Sequence, residues 1–260
     1  MRRRFFAAFY LVLFSVLLYG GDLNNLSLSV KSELERFYEG IYNAADPARI
    51  HADFHAVKEV VNSQAHTEFY KNFLTARITM IYGRHFISDD TAWYDPDFGE
   101  EHLRKALAAV EHMMKSQEAP ELYALASEIR GSLFLLRPLR YLLTHGRAAN
   151  RLAAQARRAD DANLDVLILL GNEALYTPGI YGGSPRSAYQ FFISALDVFQ
   201  RQEAAGFYAD PASLFTIYSG IGIALKDIGM PAEAASWLEA ALRIYPYNPY
   251  ITSMRDELSQ

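Results

Sequence analysis

The chain has 260 residues with 51% hydrophobic and 13% aromatic content, enough for one sizeable domain or a short solenoid and too apolar for a disordered protein. Its formal net charge of -5 becomes -8 without Arg2, Arg3 and Arg4, because 22 basic residues then face 30 acidic ones, and this argues against a nucleic-acid partner. The absence of cysteine excludes disulfides, thiolate metal sites, a cysteine nucleophile and a lipid-modified N-terminal cysteine.

Arg2, Arg3 and Arg4 precede an apolar run from Phe5 to Tyr19 that carries no charge, closed by Gly20 and Gly21. This order reads as a secretory signal over residues 1–21. A cut after Gly20 or Gly21 leaves Leu18 or Tyr19 at the third position upstream, where a small residue is preferred, so an uncleaved N-terminal anchor stays open as well. Either way the expected location is periplasmic or otherwise extracytoplasmic.

Beyond residue 25 the apolar spacing is helical, with no strict alternation long enough for a strand. Leu34, Phe37, Tyr38 and Ile41 predict a first helix near 28–43, and Asp46–Pro47 breaks it. Further helices are predicted near 48–63, 67–86, 99–117, 120–136, 138–158, 163–176, 185–205, 212–228 and 231–245. The acidic and aromatic segment 88–98 is too long and polar for a tight turn.

A helix-pair period of about 34 residues is visible at the C-terminal end. Tyr218, Ile221, Gly222, Leu225, Gly229, Ala234, Leu238, Ala241 and Pro246 fall on the spacing of the tetratricopeptide repeat. Gly222 and Ala234 are small where two helices of a pair cross, Gly229 serves the turn, and Pro246 closes the second helix. Leu170, Gly171, Gly183, Ala188, Phe192 and Ala195 repeat the pattern with about five residues inserted around 177–182, and Ala149, Ala153 and Ala156 echo its second helix. The expected fold is all-α, with antiparallel helix pairs stacked as a tetratricopeptide-like array over 119–260 and a helical region with degenerate repeats over 22–118.

The inserted loop with Pro178, Tyr181, Gly182 and Gly183, followed by Ala188, Phe192 and Ala195, resembles the T component of tripartite ATP-independent periplasmic (TRAP) transporters. That resemblance implies association with a periplasmic substrate-binding protein and assembly around a central pore, hence a homo-oligomer. The lipid anchor typical of the family is missing, since there is no cysteine to carry it.

The candidate contact residues for a partner or ligand are Arg140, Arg147, Arg151, Tyr176 and Tyr181. The arginines belong to a set with Arg137, Arg157 and Arg158 in a stretch, 131–159, that contains no acid. Arg140, Arg147, Arg151 and Arg158 share one face if the helix continues through Gly146, and such a stripe suits carboxylates or an acidic partner. Pairing with acids at 119–130 and 160–173 is the alternative. Tyr176 and Tyr181 lie in an aromatic-rich stretch with Tyr189, Phe191 and Phe192 and give shape to a groove for an anionic or amphipathic small molecule.

His51 and His55, four residues apart on one helix face, are a minimal transition-metal chelate. Glu59 lies about 12 Å along the axis from His51, too far to join them, and Ala52 stands where a metalloprotease motif needs glutamate. Asp95, Asp97, Gly99 and Glu100 faintly resemble a calcium loop, although acidic capping of the next helix explains them more simply. No Gly-x-Ser-x-Gly, phosphate-cradling glycine loop or His-Glu-x2-His occurs. The expected function is therefore binding without catalysis, metal or cofactor. An envelope scaffold without ligand and a metal-dependent enzyme centred on His51 and His55 are the competing readings.

Overall fold

A computed structural model of the chain describes residues 26–64, 67–87, 93–208 and 210–258. The expected signal or anchor at 1–21 and the first part of the 88–98 segment lie outside these residues. Every regular element among the described residues is helical. None of those helices is long and apolar enough to cross a membrane.

The helices are α1 (Leu28–Tyr42), α2 (Pro47–Ser63), α3 (Glu68–His85), α4 (Pro96–Met113), α5 (Pro120–Leu136), α6 (Pro138–Tyr141), α7 (Arg147–Ala159), α8 (Leu164–Tyr176), α9 (Pro185–Ala204), α10 (Pro211–Ile228), α11 (Pro231–Ile244) and α12 (Pro249–Leu258). A π-helical turn, Leu142–Gly146, joins α6 to α7, and a 3-10 turn, Gly179–Tyr181, lies between α8 and α9. Eight of the ten prolines open a helix, where the fixed φ is already helical and the missing N–H has no intrahelical partner to lose.

Five of these prolines follow a side chain that caps the same helix. Asp46 accepts from the Arg49 N–H, Asp95 from Phe98, Ser184 from Ser187, Asp210 from Ala212 and Ser213, and Asn248 from Ile251. Asp46–Pro47 thus starts α2, whereas α1 has already ended at Tyr42, followed by Ala44 at φ 51°. One predicted bound shifts, and one helix that spacing did not predict begins, for the same reason. The helix expected at 99–117 begins at Pro96 because Asp95 caps it, and α12, which was not predicted, begins at the Asn248–Pro249 pair.

The described helices divide between two compact units, one of residues 25–37 and 46–161 and the other of residues 38–45 and 162–260. In the first unit α2, α3, α4 and α5 pack each on the next, and α5 packs on α7. Helices α3 and α4 meet backbone to backbone at two glycines. A Cβ on Gly99 would lie 2.7 Å from the Gly83 carbonyl oxygen and 2.3 Å from Ile87 Cγ2, so neither helix tolerates a larger residue there. Phe54 of α2 stacks flat on Tyr82 of α3 with centroids 3.9 Å apart. Beside it Asp53, fully buried, is neutralised by Arg36 at 2.8 Å and Arg49 at 3.5 Å.

In the second unit α8, α9, α10, α11 and α12 pack in chain order, and α8 also reaches α10. Phe192 of α9 is the hub. It is fully buried against Gly171 of α8 and Gly220 of α10, where an added Cβ would come within 2.9 and 2.4 Å of its ring. Gly222 admits the Leu238 side chain of α11 in the same way, and Gly229 ends α10 with φ 89°, a left-handed conformation that glycine adopts without strain. Residues 38–45 are tied in by Tyr42, which stacks on Tyr245 at 4.5 Å, and by Asn248 Nδ2, which donates to the Tyr42 carbonyl at 2.8 Å.

Candidate functional site

The loop between α8 and α9 is a hydrogen-bonded turn that carries two exposed side chains. The Tyr181 N–H donates to the Pro178 carbonyl at 2.8 Å, Gly182 donates to Gly179 at 3.0 Å, and Ser184 reaches back to Ala174 at 2.7 Å. Gly182 takes φ 98°, and at Gly183 a Cβ would fall 1.6 Å from the Thr177 carbonyl oxygen, so both positions demand glycine. On this base Ile180 is 86% and Tyr181 77% exposed. Apolar side chains held out by a hydrogen-bonded turn present contact area with little ordering entropy left to lose on binding.

Tyr176, the other candidate tyrosine, ends α8 and is partly buried rather than displayed. Burial pushes its phenol well above the ordinary range, with Tyr250 and Asp227 adding to the shift. Asp227 is itself raised by burial. The hydroxyl therefore stays protonated and faces a protein environment, so Tyr181 carries the exposed part of this site.

The arginines belong to the first unit and form a separate feature. Arg147, Arg151 and Arg158 lie on the outer face of α7, while Ala148, Ala149, Leu152, Ala153 and Ala156 are buried. Among the described residues no acid pairs with Arg147, Arg151 or Arg158. The chain does continue helically through Gly146, but by a π turn, whose wider winding breaks the angular register. Arg140 leaves the stripe and lies over the Tyr141 ring at 5.2 Å.

Arg137 behaves differently from the others. Its Nε donates to Glu100 Oε2 at 2.7 Å and it also pairs with Asp97, both on α4 rather than on the helices expected to supply partners. Glu100 further accepts from Tyr141 Oη at 2.6 Å and from Arg104 Nε at 3.0 Å. Burial alone would raise this carboxyl, but the hydrogen bonds from Tyr141, Arg137 and Arg104 outweigh it and hold the group at about 2. A carboxylate so firmly ionised is a clamp between α4 and the turn at 137–141, and it has no proton to give at neutral pH. Sequence spacing could not reveal it, since Glu100 and Tyr141 are far apart along the chain.

The two acidic and histidine motifs resolve into structural roles. Asp95 caps α4 by accepting from Phe98 at 3.0 Å, Gly99 sits at the α3–α4 contact, and Glu100 is bound by arginine. His51 and His55 meet edge to face with centroids 4.4 Å apart, and His51 Nδ1 is engaged with Tyr82 Oη at 2.6 Å. Burial, reinforced by His51 and Lys58, lowers the His55 pKa. No group of three or more His, Cys, Asp or Glu side chains converges on a metal position among the described residues.

Sequence reasoning missed one surface feature. Leu139, Leu142 and Leu143 are 102%, 54% and 67% exposed around the π turn, although helical periodicity assigns such positions to a core. The signal that a π turn would displace them is absent from hydrophobic spacing. No protein-family model matches the chain, and neither a curated protein nor a solved structure matches it at a significant level.

Proposed function

We propose that the protein is an extracytoplasmic binding protein whose antiparallel helix pairs stack as a tetratricopeptide-like array. In its sharpest form the proposal makes it an accessory component of a TRAP-type transporter. It contacts the substrate-binding subunit and a small anionic or amphipathic ligand, and it works without catalysis. The observation that carries this reading is the buttressed loop at 177–184, which holds Ile180 and Tyr181 in solvent on a turn where Gly183 allows no side chain. The close contacts of Gly222 with Leu238 and of Gly171 with Phe192 fall where the repeat pattern places small residues and add support. Arg147 and Arg151 supply a cationic surface for the anionic component, with Arg140, over the Tyr141 ring, as a separate cationic contact.

The loop is tested by titrating a purified TRAP substrate-binding subunit into the wild-type chain and into the Ile180→Ser/Tyr181→Ser double variant. Two exposed anchors removed from an interface are expected to weaken binding by at least about tenfold, with the melting temperature unchanged. Equal affinity for both chains rejects the loop as the contact site.

A further inference from the structure

The exposed leucines and the arginine stripe follow one another along the chain, around the π turn and on α7. Leu139, Leu142 and Leu143 recur at i, i+3 and i+4, a spacing that gathers them on about one turn. They project because Tyr141 and His145 take the inward positions, 5% and 9% exposed. Helix α7 follows directly, and its outward Arg147, Arg151 and Arg158 extend over about 17 Å at 1.5 Å per residue. The stretch 131–159 holds no acid, in a chain of net charge -5.

We propose that this surface, the leucine turn with the Arg147–Arg151–Arg158 stripe, docks on an anionic phospholipid bilayer. The inference rests on the reading given above and names the anionic partner of its arginines: phosphodiester headgroups. Two features favour a bilayer over an acidic protein. Leu139 stands wholly clear of its surroundings, and a small apolar prow enters the acyl boundary without needing a matching pocket. The long arginine stems beside it keep their charged ends at headgroup level while the leucines sink. With no acid pairing with these three arginines among the described residues, each retains its attraction for anionic lipid, about fivefold in partitioning per charge.

The test uses the full chain and exploits its lack of cysteine. A Leu139→Cys variant carries an environment-sensitive fluorophore at that single thiol and is mixed with phosphatidylcholine vesicles, with or without phosphatidylglycerol. Arg2–Arg4 and the apolar run Phe5–Tyr19 are the same in every chain compared, so the part of the signal that the arginine substitutions remove reports the new surface. The expected result is a blue shift and quenching by brominated acyl chains on the anionic vesicles only. Both signals are expected to be lost when Arg147→Gln, Arg151→Gln and Arg158→Gln are added, substitutions at exposed positions that leave the circular dichroism unchanged. No shift, an equal shift on neutral vesicles, or a shift with polyglutamate but not with lipid would each overturn the proposal. The subunit titration with the Ile180 and Tyr181 variant reads the other unit's loop, so failure of one does not mimic failure of the other.

Discussion

Gly183 and Gly179 make a controlled pair within one loop. A methyl group at Gly183 would overlap the Thr177 carbonyl, whereas nothing lies within 4 Å of one added at Gly179. Gly183→Ala should destabilise by about 2 kcal/mol, in the range of steric and backbone conflicts, and Gly179→Ala by less than about 0.5 kcal/mol. Urea denaturation of the two variants checks the contrast. The residue scale also sets the response to acid. His85 is buried with no hydrogen-bond partner for Nε2 among the described residues, and burial lowers its pKa from 6.5 to about 4. A depressed folded-state value means that this contribution is complete above pH 6.5 and is lost as pH falls toward 4. Glu100, held at about 2, adds a second loss that begins below its ordinary value of 4.5. The melting temperature is therefore expected to fall in two overlapping stages. His85→Leu should reduce the upper stage, to which His55, His102 and His145, all lowered by burial, also contribute, and Glu100→Gln should reduce the lower one while destabilising the protein at neutral pH.

At the scale of elements, the helices were legible because apolar spacing and capping chemistry agree. The predicted cores of 185–205 and 212–228 correspond to α9 and α10, and the buried positions Ala188, Phe192 and Ala195 are the ones singled out by spacing. What spacing could not supply was the π turn, at whose ends Gly146 lies against the Phe134 ring and Tyr141 donates to Glu100. Arg140 consequently leaves the expected stripe and three leucines meet solvent. The candidate site was legible to the same extent. Tyr181 could be placed on a loop from its glycines, but the enclosure of Tyr176 depends on Asp227 and Tyr250, which are distant in sequence. Phe192 gives the element-scale prediction. Its ring fills the space left by Gly171 and Gly220, so Phe192→Ala is expected to cost about 3–5 kcal/mol. Asp210→Ala, which removes the cap of α10, is expected to cost about 1–2 kcal/mol by the same denaturation measurement.

At the scale of the molecule, the two units carry different surfaces. One displays a buttressed aromatic loop, and the other displays unpaired arginines beside exposed leucines. Among the described residues no group of three or more metal-ligating side chains converges in either, and Glu100, held ionised by its arginine and tyrosine partners, serves as a clamp. Both surfaces suit recognition, and the account stands or falls on whether the loop at 177–184 engages a specific partner. The most direct measurement is native mass spectrometry of the chain mixed with a TRAP substrate-binding subunit. The expected result is a complex of fixed stoichiometry, with a retained small-molecule mass, that disappears for the Ile180→Ser/Tyr181→Ser variant. A chain that stays bare at saturating subunit would contradict it.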